Sequence, residues 1–245
     1  MQRYFAELID SNITLNKDDI FHITKVMRCR VDDEFQIVTN KQIYLAKVDS
    51  LDPFNFSIQK VLDENHELDG YIRLLYCIPK GEKLDLVIQK SVELGISEIV
   101  LVNSSRCVRR LDKSISSNKI VRFNKIIKEA SEQCKRSILM KLDDIIDYKD
   151  IGNYKADESF IAYEGSETSL SDLNKSLHNI KGKTINVLIG SEGGFSKEEV
   201  EYAEKRNYKV ITLGNRILRS ETSCFYILSL LSFYMESGIW DYLKF

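Results

Sequence analysis

Leu188-Ile189-Gly190-Ser191-Glu192-Gly193-Gly194-Phe195-Ser196, LIGSEGGFS, puts three glycines into five positions between an apolar run, Thr184–Ile189, and a charged segment. Ser196 and Glu199 have the S-x-x-E spacing of a capping box, so a helix is expected over Ser196–Arg206. The glycines therefore stand at the carboxyl end of a buried strand, just before a helix start. Glycine there permits positive φ and close approach of the backbone to other atoms. The phosphate loop GxxxxGK[ST] is absent, and a dinucleotide GxGxxG cannot be fitted. Two readings remain: a structural turn, or a loop that wraps a ligand with main-chain atoms.

The next strand ends the same way. Thr212–Ser223, TLGNRILRSETS, has an apolar strand, a glycine and a short apolar segment before the last helix. Two such strand ends side by side can hold a flat heterocycle between backbone and apolar side chains. Arg216 and Arg219 bring positive charge to the same edge. Around these loops, strands expected at Ile72–Ile78, Ser97–Val102, Ser159–Tyr163, Thr184–Ile189 and Val210–Leu213 alternate with helices. The helices are Glu82–Leu94, with Gly95 past its end, Asn118–Cys134, Ser169–Leu177, Ser196–Arg206 and Glu221–Tyr234. That alternation predicts an α/β fold with a mostly parallel sheet, ligands binding beyond its carboxyl ends.

The first quarter of the chain reads differently. Short strands at Arg3–Leu8, Glu34–Thr39, Gln42–Val48 and Asn55–Val61 surround a helix at Asp18–Met27, capped by Asp18, with Ile20, Ile23, Val26 and Met27 on one face. Asn40-Lys41 marks a tight turn. A small barrel or sandwich is expected. The polar segment Leu62–Gly70 reads as a linker, which divides the chain into domains at 1–68 and 71–245.

The whole chain of 245 residues is 43% hydrophobic, with no apolar run of the ~20 residues a membrane span needs. The N-terminus lacks a signal-peptide layout. Five cysteines without a CxxC pair suit neither zinc nor a disulfide framework, and there are only three histidines, so no metal site and a cytoplasmic setting are expected. Net charge is −2, yet Asn103–Arg136 holds ten Lys/Arg against three Asp/Glu. Such a stretch is either the footprint of a polyanion site or a solvated helix surface.

IGSEGGFSKEEV followed by LGNRILRSETS resembles the C-terminal signature of the RsmE-type 16S ribosomal RNA methyltransferases, of the SPOUT superfamily. EKLDLVIQKSVELGISEI, NSSRCV and EASEQCKR resemble its upstream segments, and HITKVMRCRVDDEF its N-terminal PUA-like part. The family's usual proline is Ser191 here. The resemblance implies an S-adenosylmethionine-dependent enzyme that makes 3-methyluridine in small-subunit RNA, with a C-terminal trefoil knot, a PUA-like β-barrel and a homodimer. It implies cofactor contacts from Leu188, Ile189, Gly190, Gly194, Leu213, Gly214, Ile217, Leu218 and Thr222. Loss of the uridine N3 proton leaves negative charge on O2 and O4, which an arginine can stabilise. Arg219 is the first candidate and Arg216 the second. Glu221 or solvent is the base, and Glu192 stands beside the cofactor or merely at a helix entry. Glu132, Gln133 and Arg136 match the family's second helix, which implies that they face substrate or the active site. RNA contact is expected from Arg106, Arg109, Arg110 and Arg136, and from Arg3, Lys25, Arg28 and Arg30 in the small domain. The last helix, with Phe225, Leu228, Leu231 and Phe233 and then Trp240, is either core or a dimer face. A methyltransferase acting on a ribose hydroxyl and a non-catalytic RNA-binding protein are the competing readings.

Overall fold

A computed structural model of the chain describes residues 1–10, 12–81, 83–107 and 117–237. Arg109, Arg110 and Trp240 lie outside them. The chain forms two compact units. One is Met1–Glu67 with Lys128–Leu139, and the other is Leu68–Ile127 with Met140–Phe245. Residues 128–139 thus group with the N-terminal segment, which a cut in the linker alone does not anticipate.

In the first unit, strands β1 (Arg3–Phe5), β4 (Glu34–Thr39), β5 (Gln42–Leu51) and β6 (Phe54–Leu62) form a sheet in the order β1-β4-β5-β6. β2 (Glu7–Ile9) and β3 (Asn12–Thr14) pair as a separate hairpin. The edge strands β1 and β6 are not hydrogen-bonded to each other, so pairing among the described residues leaves the small sheet open at that seam. Asn40 and Lys41 have φ of 49° and 66°, the left-handed pair that a two-residue hairpin turn requires. Tyr4, Ile23, Phe35, Ile37, Ala46 and Val48 make the core.

The helix of this unit departs from the sequence reading. α1 covers Lys17–Phe21 and continues as a π-helical turn, His22–Val26. Asn16, not Asp18, caps it, accepting from the Asp19 backbone N–H at 2.8 Å. Five-residue turns shift the register of a 3.6-residue pattern. Ile23 stays in the core, while Val26 and Met27 face outward.

The second unit is a six-stranded, wholly parallel sheet. Its strands are β7 (Tyr71–Cys77), β8 (Glu98–Asn103), β9 (Lys141–Asp147), β10 (Glu158–Ala162), β11 (Thr184–Ile189) and β12 (Lys209–Ile211), in the order β12-β10-β11-β7-β8-β9. β8 is buried along its whole length and β11 everywhere but Thr184, which explains their continuous apolar sequences. Among the described residues five helices accompany the strands: α2 (Lys83–Glu93), α3 (Ser117–Gln133, whose last turns belong to the first unit), α4 (Leu170–Leu177), α5 (Lys197–Glu204) and α6 (Ser220–Glu236). The chain runs β7-β8-β9 toward one edge, then places β10, β11 and β12 on the other side of β7. In α6, Leu228 and Leu231 are core residues, while Phe233 is 49% exposed. No helix among the described residues is long and apolar enough to cross a membrane.

Candidate functional site

The capping box forms. The Glu199 N–H donates to Ser196 Oγ at 3.2 Å, and the Ser196 N–H to Glu199 Oε2 at 3.0 Å. The other oxygen, Glu199 Oε1, accepts the Ser105 N–H at 2.7 Å, so the start of α5 is tied to the loop after β8. This loop explains much of the glycine pattern. A β-carbon on Gly193 would lie 3.0 Å from both Cβ and the carbonyl oxygen of Arg106. Gly194 has φ +64°, and a β-carbon there would meet Glu164 Oε1 at 3.0 Å. Ser191, in place of proline, donates its hydroxyl to the Arg106 carbonyl at 3.2 Å.

The same loop is one wall of a cleft of about 310 Å³. Gly190–Phe195, Ile217–Ser220, Ala162 and Glu164 line it. A smaller lobe continues past Leu213, Gly214 and Arg216, sharing Glu164, Ile217 and Leu218 with the main space. The two glycine-bearing strand ends therefore meet in one recess beyond the carboxyl ends of β10, β11 and β12, where parallel sheets bind ligands. Of the residues expected at a cofactor, Ile189, Gly190, Gly194, Leu213, Gly214, Ile217 and Leu218 line it. Leu188 does not, because its side chain is packed in the core, and Thr222, exposed on α6, does not line it either. Ile217 is 89% exposed at the lip.

Arg219 is the N-cap residue of α6 and lines the main space. Neither Arg219 nor Arg216 makes a side-chain hydrogen bond or ion pair among the described residues, so both guanidinium groups are open at the recess. Ser220, next to Arg219, is buried. Its hydroxyl donates to the Gly190 carbonyl at 2.5 Å and lies 3.0 Å from the Tyr76 hydroxyl, clamping the start of α6 to the ends of β11 and β7. Glu221 accepts from Lys83 Nζ through one carboxylate oxygen, Oε2. Lys83 Nζ lies 3.1 Å from Glu221 and 3.1 Å from Glu192, a cation shared between the two carboxylates. Burial pushes the Glu192 carboxyl up, but backbone N–H groups, including that of Lys80, and the Lys83 ammonium outweigh this and hold it below its ordinary value. Lys83, Ser220 and Glu164 escaped the sequence reading. Glu164, two residues past a strand end and followed by glycine, carried a usable signal. Lys83 carried none.

Among the described residues, several basic side chains are engaged by partners within the chain. Arg136, expected at RNA, is 3% exposed, with Nε and Nη2 on Glu67 Oε2 at 3.0 and 2.8 Å. Arg3 is 0% exposed and donates to Gln36, Glu64 and the Lys135 carbonyl. Both are structural ion pairs of the first unit, not phosphate contacts. Glu132, expected at substrate, is buried under Lys128 Nζ at 2.6 Å and the Phe5 N–H at 3.0 Å. Lys128 also holds Asp19 at 2.6 Å, and Arg122 pairs with Asp85. Arg106 donates to the Gly193 carbonyl at 3.0 Å. Lys25, Arg28 and Arg30 do stand exposed, beside Phe21, Val26 and Met27. Among the described residues no His, Cys, Asp or Glu group is arranged to hold a metal.

A family model described as an RNA methyltransferase domain matches residues 66–232, and one described as an RNA methyltransferase PUA domain matches 15–58. The chain is 31% identical over 253 residues to "Ribosomal RNA small subunit methyltransferase E" of Bacillus subtilis (strain 168), covering 96% of this chain and 98% of that protein. A protein of the same name from Buchnera aphidicola subsp. Acyrthosiphon pisum is 31% identical over 228 residues, 90% of this chain and 88% of its own. Two solved structures superpose with TM-scores of 0.80 at 25% identity, each covering 94% of this chain and 96% of its own. They are the putative methyltransferase Lpg2936 of Legionella pneumophila with bound cofactor SAM, and the Neisseria gonorrhoeae ribosomal RNA small subunit methyltransferase E bound to S-adenosyl methionine.

Proposed function

The chain belongs to the RNA methyltransferase family, and we propose that it transfers a methyl group from S-adenosylmethionine to N3 of a uridine in the 16S RNA of the small ribosomal subunit. The observation that carries this reading is the meeting of both glycine loops in one recess. The recess fits the cofactor. A nucleoside needs an apolar slot edged by main-chain groups, and Ile189, Ile217 and Leu218 lie there beside the backbone of the two loops. When bound, the cofactor supplies an electrophilic methyl group on a sulfonium sulfur.

The rest falls to the chain's own residues. The walls would hold the cofactor with the target base beside it, and such positioning removes much of the entropic barrier. Arg219 faces the charge that develops on O2 and O4 as the N3 proton leaves, and Arg216 adds to the field. The proton goes to solvent. Glu221, held by Lys83, positions the first turn of α6 under Arg219. In the small domain, Lys25, Arg28 and Arg30 contact RNA phosphates, and a target uridine is turned out of its stack to enter the recess.

We further read the last segment as the threaded part of a trefoil knot. From β12 at the sheet edge the chain returns to β11 and β7, where Ser220 is clamped. A cytoplasmic homodimer, with a partner copy over the exposed Ile217 and Phe233, completes the proposal. The test is to incubate the protein with methyl-labelled cofactor and unmodified small subunits and to identify the labelled nucleoside. Label in 3-methyluridine supports the reading; label in a ribose methyl, or none, refutes it. Arg219→Ala should abolish turnover and leave cofactor affinity within about twofold.

A further inference from the structure

Glu164 follows β10 and borders both lobes of the recess. Its carboxylate rests on the glycine loop, with Oε1 3.0 Å and Oε2 3.4 Å from where a β-carbon of Gly194 would stand. It makes no side-chain hydrogen bond or ion pair among the described residues. The contrast with Glu192 is direct, since that carboxylate of the same recess is matched by Lys83 and the Lys80 N–H. The nearby arginines, Arg216 and Arg219, are within 4.0 Å of no described carboxylate.

A ligand that fills the recess takes water away from Glu164. A carboxylate desolvated without a partner is costly, so the ligand has to bring the opposite charge. A neutral nucleoside does not. We infer that Glu164 is the counter-ion for a positive group on the methionine half of the cofactor, and that it makes the recess favour a nucleoside that carries such a group. This rests on reading the recess as the cofactor site. The shape supports it: Gly194 has no side chain, and its left-handed backbone leaves the carboxylate lying against the loop beside the ligand space. S-adenosylmethionine carries two such charges, a sulfonium that is lost on methyl transfer and an ammonium that is kept.

Calorimetry on the full chain without bound cofactor tests this with three ligands. S-adenosylmethionine has both charges, S-adenosylhomocysteine only the ammonium, and 5′-methylthioadenosine neither. Glu164→Gln keeps the shape and removes the charge, and because Glu164 is exposed and unpartnered the fold should not suffer. The variant should bind S-adenosylmethionine about tenfold or more weakly, the difference of a charge-assisted contact, and 5′-methylthioadenosine within twofold of wild type. If S-adenosylhomocysteine weakens equally, Glu164 faces the ammonium; if it is spared, Glu164 faces the sulfonium. Unchanged binding of S-adenosylmethionine overturns the inference, as does an equal loss for 5′-methylthioadenosine. A wild-type chain that binds none of the three overturns the site reading itself, and the inference with it.

Discussion

Glu67→Ala separates a structural from an RNA-binding role for the basic stretch. Glu67 Oε2 accepts from Arg136 Nε and Nη2, at 3.0 and 2.8 Å, and Oε1 accepts the Ser137 and Ile138 N–H groups at 2.8 and 3.1 Å. The side chains of Arg136 and Glu67 are 4% and 14% exposed, so water does not readily replace the lost carboxylate. Removing one partner of a buried pair costs about 3–5 kcal/mol. With a urea slope of about 3 kcal/mol per M, the unfolding midpoint should fall by about 1–1.7 M. Replacing both partners, as Glu67→Leu with Arg136→Met, should recover most of that loss, because no charge is then left without its partner. Urea titration followed by circular dichroism reads both. A midpoint within about 0.3 M of wild type for Glu67→Ala, or a weaker RNA complex for Arg136→Met with stability intact, would refute the assignment.

Other outcomes follow from the same geometry. Lys83→Met removes the ammonium shared by Glu192 and Glu221. Glu192 is held below its ordinary value of 4.5, so its stabilising effect is complete above that pH and fades as pH falls through the lower folded-state value. Without Lys83 the carboxyl titrates higher, and the acid-unfolding midpoint should move to higher pH; an unmoved midpoint contradicts this. Each of Lys25→Gln, Arg28→Gln and Arg30→Gln should lower the salt slope of RNA binding by about one for each phosphate no longer neutralised, read by filter binding at several salt concentrations. Three unchanged slopes would exclude this surface.

The parts legible in the sequence were those governed by neighbours along the chain. β4 and β11 fall at their expected limits, and the Ser196–Glu199 box and the Asn40-Lys41 turn form as read. β9 was missed because Lys141–Asp147 is an acidic edge strand whose Lys141 is drawn to the buried Glu98, at 2.9 Å. The π-helical turn erased the expected apolar face at Val26 and Met27, since one wide turn changes every later position. Three charges of the basic stretch have partners that the sequence does not show. Charge was visible at Arg136, Lys128 and Arg122, but their partners Glu67, Asp19 and Asp85 lie far away in sequence. In the recess, the loops could be read, whereas Lys83 could not, because its meaning depends on Glu192 and Glu221 coming together from separate elements.

A crystal structure of the chain grown with S-adenosylmethionine addresses the central claim most directly. The account predicts adenosine density in the recess between residues 190–194 and 212–218, with Arg219 open toward solvent beside it. Clear density for the cofactor at any other place on the chain would contradict it.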